Sequence, residues 1–525
     1  MYLLSHLYLL ITIFAFLALF SSISSNPNNV EWSYDDPRWK TYIPNWWDEP
    51  NFVPPVGPVE ENPKEFWISK AEKLLDQKLN YRLNTNRAKN IIIMVGDGMG
   101  LSSQMAARSY IKDVNFELSF EKFPFSGLAK IYCVNYQVPD SASTATALFS
   151  GIKTNYMVLG VTADVNVRNC SASKNEKFQV PSIFKYAQDA GKSTGIVTNT
   201  RITHATPAGA YATAASRNWE GNANTPDGCD DIGLQLIHGN IGRNLDVILG
   251  GGSRYLLPTS RGGRRTDERN LINEYLRVQI QNRKRPARAF NRDELLSINA
   301  NVTDSILGIF ADNHMDYKLL ADPETQPTLT EMTAKALDIL KKNERHGFVL
   351  MVEGGRIDHG HHENRAQLSL EEVVEFHKAV EYVKANTHEE DTLIVVTADH
   401  SHPFTIGGYL PRGRNILGPG DFSREDNMWI FSASYAQGQG YFQHFDPKTG
   451  GRRNPRGSNY MNPSFRQPVS VPMDEGTHSG EDVGVYSSGP WSHLFTGVYE
   501  QNFIPHAMMF AACITPTNGK RNANC

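Results

Sequence analysis

The sequence predicts an α/β fold built on an open, parallel sheet, and three stretches carry that expectation. Residues 90–95, 348–352 and 392–397 are short, mostly apolar runs, as expected of strands buried on both faces. Each run delivers side chains able to do chemistry: Asp97 after the first, Glu353 after the second, Asp399 and His400 after the third. Open parallel sheets place their sites at the carboxyl ends of such strands.

The 525 residues, 40% hydrophobic, suffice for one large domain or two to four smaller ones. With 52 basic and 56 acidic residues the formal net charge is -4, which gives no general attraction to nucleic acid or anionic membrane, so no nucleic-acid partner is expected. An apolar run from Leu7 to Phe20, followed by Ser21, Ser22, Ser24 and Ser25, reads as a secretory signal peptide over residues 1–25. It is short for a membrane span of roughly 20 residues, although its start lacks Lys and Arg and a signal anchor competes. The polar end from Cys513 to Cys525 carries no apolar tail, so no stable membrane anchor is expected, and a secreted, extracellular protein is. Among five cysteines, Cys170 with Cys229 and Cys513 with Cys525 are candidate pairs and Cys133 is odd; sequence does not fix the connectivity. Asn169-Cys170-Ser171 and Asn301-Val302-Thr303 are glycosylation sequons of a secreted glycoprotein.

Residues 26–59, with Trp32, Trp39, Trp46, Trp47 and a proline pair at Pro54, lack periodicity and read as an extended arm draped over a surface or a partner subunit. Phe66 to Leu79 has helical spacing. After the strand at 90–95, the glycines around Asp97 form a tight turn opening a helix; an acid there also serves as an ordinary cap. Small residues after Pro139 predict a tightly packed helix ending near Gly151, with Ser141 in its first turn, where free N–H groups favour an anion. An N-cap serine would look the same. Another apolar segment ends at Val197 and leads to His204, Thr206 and then Arg217, and a strand at 247–249 runs into three glycines. Arginines between Arg261 and Arg292 interleave with acids and read as a solvated surface. Residues 351–363 concentrate ligand-type side chains, and Asp358 and His362, four apart, would share one helix face and grip one ion, unless the stretch is a solvated polar turn. Gly, Pro and Arg abound from 409 to 475, a β-rich or loop-rich insertion. His478, a short strand at 483–486 and a helix at 503–513 close the chain.

Six motifs together resemble the animal alkaline phosphatases, in that family's order. They are Val-Gly-Asp-Gly-Met-Gly from Val95, Pro-Asp-Ser-Ala-Ser-Thr-Ala-Thr-Ala from Pro139, Thr-Arg-Ile-Thr-His-Ala-Thr-Pro-Ala-Gly from Thr200, Glu-Gly-Gly-Arg-Ile-Asp-His-Gly-His-His-Glu from Glu353, Thr-Ala-Asp-His-Ser-His from Thr397, and Thr-His-Ser-Gly-Glu-Asp-Val from Thr477. The resemblance implies a three-layer sandwich around a large, mostly parallel sheet. It implies a catalytic domain over 60–525 with a crown-like insertion at 409–475, and a homodimer joined there. It implies hydrolysis of phosphate monoesters through a phosphoserine, at two zinc ions and one magnesium ion. Asp358, His362 and His478 would hold the first zinc; Asp97, Asp399 and His400 the second, beside the attacking Ser141. Asp97 would reach magnesium with Glu353, His204 and Thr206, and Arg217, oriented by Asp140, would clamp phosphate. The cysteine pairs match the family's two disulfides, leaving Cys133 buried. Residues before Val59 have no counterpart in the family, and calcium is not expected, because Ala311 and Gln326 stand where mammalian relatives have carboxylates. The runner-up readings are a diesterase or sulfatase-like hydrolase on the same sheet, and a secreted binding protein without catalysis.

Overall fold

The computed structural model describes residues 57–514 and 525, so the expected signal peptide and nearly all of the Trp-rich arm lie outside the described residues. Residues Met1–Pro63 and Lys64–Cys525 are separate compact units. The first contributes a single 3-10 turn, Val59–Glu61, to what is described.

In the second unit the apolar runs become strands. In chain order these are β1 (Asn90–Gly96), β2 (Phe125–Lys130), β3 (Ser193–Arg201), β4 (Val247–Gly251), β5 (Pro286–Ala289), β6 (Ser305–Ile309), β7 (Phe348–Gly354), β8 (Thr392–Ala398), β9 (Phe404–Ile406), β10 (Pro419–Ser423), β11 (Met428–Phe431), β12 (Ala433–Gly438), β13 (Val469–Pro472), β14 (Val483–Ser488) and β15 (Gly497–Glu500). Ten of them form one sheet in the order β15-β2-β14-β8-β1-β7-β3-β4-β6-β5. Only β14 is antiparallel to its neighbours, so the sheet is mostly parallel. Ile91 to Val95 are fully buried, as are Val349 to Val352, which requires cover on both faces of the sheet.

The seven helices that matter here are α1 (Lys64–Asn80), α2 (Leu101–Ile111), α3 (Ser141–Ser150), α4 (Leu329–Leu340), α5 (Arg356–His362), α6 (Ala366–Ala385) and α7 (Phe503–Ala512). One group, α4 with α6, packs on β1, β3 and β7; another, α3 with α7, meets the sheet through α7 on β1. The parallel register aligns strand ends: Gly96 of β1 lies beside Gly354 of β7 and Ala398 of β8, and Thr198 of β3 beside Glu353. Residues 409–475 hold the β10–β11 hairpin and β12 and β13, which form a small sheet with β9.

Two sequence expectations need adjustment. The helix expected at 66–79 exists as α1, but none of its residues is buried, and Leu79 is 72% exposed. Arg265 does not lie on a solvated surface: it is fully buried, with bidentate contacts to Asp231 at 2.8 and 2.9 Å and a further pair with Asp267. Composition could not show this, because Asp231, 34 positions away, supplies the bidentate compensation that a buried guanidinium requires. Cys170 bonds Cys229, Cys513 bonds Cys525, and Cys133 is a buried free thiol.

Candidate active site

Because β1, β3, β7 and β8 run parallel, their carboxyl ends bring Asp97, His204, Glu353, Asp399 and His400 to one edge of the sheet. All are buried. Gly98 turns the chain after Asp97 at φ +69°, where an added Cβ would lie 2.8 Å from His402, and its N–H donates to Asp399 Oδ1 at 3.1 Å.

Three side chains converge on one point. His362 Nε2 is 3.1 Å from His478 Nε2 and 3.3 Å from Asp358 Oδ2, and His478 Nε2 is 3.5 Å from Asp358 Oδ1. The two spacings at His362 Nε2 match the edge, about 3.3 Å, of a tetrahedron with zinc–ligand bonds of about 2.0–2.1 Å. His362 Nδ1 donates to Gly476 O at 2.5 Å and His478 Nδ1 to Pro139 O at 2.8 Å, which aims both Nε2 lone pairs inward. Two neutral imidazoles so placed would face each other acceptor to acceptor, an arrangement that a proton or a shared cation relieves. Burial opposes a proton on His362, yet Asp358 outweighs it and holds that pKa up to about 9.

His400 Nε2 is the centre of a second cluster, 3.4 Å from Asp97 Oδ1, 3.3 Å from Asp399 Oδ2 and 3.2 Å from Ser141 Oγ. Asp358 also comes within reach of an ion held by Asp97 and His400. The His400 ring stacks on His478 with centroids 3.5 Å apart, joining the two clusters. Burial presses the His400 pKa down to about 3, leaving a neutral ligand. Ser141 is the first residue of α3, whose N-cap Asp140 accepts from Ala142 N and Ser143 N at 3.3 and 3.2 Å. Arg217 donates through Nη1 to Asp140 Oδ2 and through Nη2 to His204 Nε2, both at 3.0 Å.

A third group comprises Asp97, His204 and Glu353, with Thr206 beside it on the turn that follows His204. Both Asp97 carboxylate oxygens, Glu353 Oε1 and Thr206 Oγ1 are buried without a hydrogen-bond partner. Native structures seldom leave such atoms unsatisfied, and these are donor atoms that divalent cations take. Burial, and then the charges of Asp399, Asp358 and Glu353, push the Asp97 pKa well up, and burial lifts Glu353 to about 7.

Every residue named from the sequence as a site candidate therefore falls in one continuous cluster. Sequence reasoning gave no role to His402, whose Nε2 donates to Asp358 Oδ1 at 2.5 Å, or to His314, which groups with His204 and His359. The only sequence signal for His402 was its place in the Thr-Ala-Asp-His-Ser-His motif. Guanidinium groups of Arg201 and Arg356 contact His314 and His359, which opposes a cation between those two rings. Outside the clusters, buried His361 bonds Ser103 Oγ at 2.8 Å and Tyr435 Oη at 2.7 Å, and Glu363 accepts from Tyr317 at 2.9 Å.

A serine at a helix N-terminus, ringed by cation-binding side chains and faced by an arginine fork, suits attack on an anionic ester. This is a metallohydrolase arrangement on an α/β scaffold. The chain belongs to the alkaline phosphatase family: the family model, described as alkaline phosphatase, matches residues 88–514. The tissue-nonspecific alkaline phosphatase of Homo sapiens is 42% identical over 481 residues, covering 87% of this chain and 90% of its own length. The membrane-bound alkaline phosphatase of Bombyx mori is 40% identical over 479 residues, with 87% and 86% covered. Among solved structures, alkaline phosphatase from the Antarctic bacterium TAB5 aligns with a TM-score of 0.58 and 25% identity, covering 82% of this chain and all of that one. The Thermus thermophilus enzyme shares the fold at a TM-score of 0.61 and 23% identity, with 85% and 96% covered. The chain is thus a phosphoric monoester hydrolase with side-chain groups suited to metal ions.

Proposed function

We propose that the chain hydrolyses phosphate monoesters through a phosphoserine on Ser141, at a site for two zinc ions and one magnesium ion. The observation that carries this is the set of buried ligand atoms left without partners in the midst of converging imidazole nitrogens and carboxylates. Asp358, His362 and His478 would hold one zinc, and Asp97, Asp399 and His400 the other. Asp97, Glu353, His204 and Thr206 would hold magnesium, whose preference for oxygen fits three of these four donors. When bound, the zinc ions supply Lewis acidity that lowers the pKa of a hydroxyl or water and stabilises a departing oxygen.

Ser141 Oγ attacks phosphorus as it gives up its proton; the P–O bond to the alcohol breaks as the bond to Ser141 forms, and the departing oxygen takes up a proton to leave as the alcohol. Water then attacks the phosphoserine, and the Ser141 oxygen leaves with return of a proton, releasing inorganic phosphate. Arg217, fixed by Asp140, presents a planar fork to two non-bridging oxygens. A monoester offers that fork more free oxygens than a diester. The test is acid-quench labelling with a radiolabelled monoester: wild type should retain label on Ser141, and Ser141→Ala should retain none and lose turnover. Full turnover by Ser141→Ala would refute the covalent route.

Secretion as a glycosylated homodimer accompanies this reading. Support comes from the signal-like N-terminal run, the exposed sequon residues Asn169 and Asn301, and the family resemblance of residues 409–475 to a dimer crown. No helix among the described residues is long and apolar enough to cross a membrane.

A further inference from the structure

One buried amide beside the site has no part in the chemistry above. Asn199 sits near the end of β3, 6% exposed, and reaches across to the turn that joins β7 to α5. Its Oδ1 accepts from Gly355 N at 2.8 Å and from Arg356 N at 3.2 Å. The opening N–H groups of a helix have no intrahelical acceptor, and α5 has no side-chain cap of its own. Asn199 supplies that acceptor from another strand.

The amide is itself held from behind. Its Nδ2 donates to Glu372 Oε2 at 2.8 Å, and Glu372, 2% exposed on α6, accepts Lys318 N through Oε1 at 2.6 Å. This fixes which way the amide points, since the nitrogen must face the carboxylate and the oxygen must face the turn. The turn has little other freedom: a Cβ on Gly355 would lie 2.2 Å from Thr200 Cγ2. On one side of the turn is Glu353, and on the other, on α5, are Asp358 and His362.

We infer that Asn199, oriented by Glu372, is a positioning residue that sets the spacing between Glu353 and Asp358, and hence between the magnesium and first zinc positions. The inference rests on the ion assignment proposed above. Asn199 touches no reacting atom; it acts through the backbone of Gly355 and Arg356. Because the network depends on one donor meeting one acceptor, its polarity can be reversed without changing its shape. Asn199→Asp keeps the acceptor for the turn but sets a carboxylate against Glu372; adding Glu372→Gln restores the missing donor.

The experiment uses full-length, zinc-loaded protein as wild type, Asn199→Asp, Glu372→Gln and the double variant. Magnesium affinity is measured by equilibrium dialysis with metal analysis, alongside zinc content, melting temperature, kcat and KM. Asn199→Asp and Glu372→Gln should each weaken magnesium binding about 10–100-fold, the usual effect of losing an outer hydrogen bond, and the double variant should recover to within about threefold of wild type. A role confined to folding would move the melting temperature and leave magnesium affinity unchanged. Single variants that bind magnesium like wild type, or a double variant no better than the weaker single one, overturn the inference. If a single variant does not fold, the double variant decides alone: near-wild-type affinity supports the inference and a tenfold loss overturns it. Wild type that takes up zinc but no magnesium would instead overturn the ion assignment.

Discussion

Replacing His402 by alanine should weaken the hold on the zinc ion proposed for Asp358, His362 and His478. His402 is 1% exposed, and its Nε2 donates to Asp358 Oδ1 at 2.5 Å, leaving Oδ2 of the same carboxylate 3.3 Å from His362 Nε2. The imidazole thus fixes the orientation of the Asp358 carboxylate, whose Oδ1 also lies 3.5 Å from His478 Nε2. Burial depresses its pKa against the pull of Asp358, so it acts as a neutral donor. A hydrogen bond to a charged group contributes about 1.5–3 kcal/mol, and about 1.4 kcal/mol corresponds to a factor of ten, so zinc affinity should fall roughly 10–100-fold. His402→Gln, which retains an N–H donor, should lose markedly less. Competition against a chromogenic zinc chelator measures both, with near-ultraviolet circular dichroism reporting the fold. A folded His402→Ala protein that binds zinc within about twofold of wild type would refute the argument that outer donors orient ligands here.

Other consequences follow from the same geometry. Gly355→Ala should lower the melting temperature and weaken magnesium binding, and Thr200→Ser, by removing the methyl group 2.2 Å from the new Cβ, should restore part of both, since the Glu353 carboxyl at 3.0 Å remains; calorimetry and dialysis would show it. Burial raises Glu372 from 4.5 to about 7, so the stability tied to its protonated form is complete below pH 4.5 and is lost as pH rises towards 7, on the order of 3 kcal/mol. Denaturant titrations at pH 5 and pH 8 should show that loss in wild type and a flatter profile in Glu372→Gln. Chelation should destabilise the protein more at pH 9 than at pH 6.5, because Glu353, raised by burial to about 7, and His362, raised by Asp358 against burial to about 9, both lose stabilising protons across that interval. Melting temperatures that diverge less at pH 9 would contradict the sign.

The strands and their terminal acids were legible because the signal is local. A run such as Ile91 to Val95, with no polar residue to break it, has little choice but a buried strand, and parallel connection then carries Asp97, Glu353 and Asp399 to one edge. The Asp358–His362 pair was legible for a similar reason, since helical spacing alone sets both side chains on one face. Residues acting across the fold left no such trace. Asn199 reads in sequence as one polar residue in a run of threonines, and only the packing of β3, β7 and α6 gives it two backbone donors and a carboxylate. Arg265 was misread for the converse reason, since Asp231, which neutralises it most fully, is 34 positions away. His402 lay within a recognised motif, yet a histidine at that spacing can ligate an ion or orient a ligand, and only the contact to Asp358 separates these roles.

The balance of charge explains why such a site should prefer a monoester. Asp97, Glu353, Asp358 and Asp399 are all at most 3% exposed, and none is paired with lysine or arginine among the described residues, whereas Asp140 is neutralised by Arg217. Four buried carboxylates without fixed cations are unfavourable, and burial with mutual repulsion raises the pKa values of Asp97 and Asp399. The two zinc ions and one magnesium ion proposed above would bring six positive charges. The four carboxylates absorb four of these, and a dianionic phosphate monoester supplies the remaining two; a diester, with a single charge, leaves the cluster positive. In a buried site that residual charge is poorly screened, so discrimination between the two esters is built into the number of acids at the sheet edge as well as into the fork of Arg217.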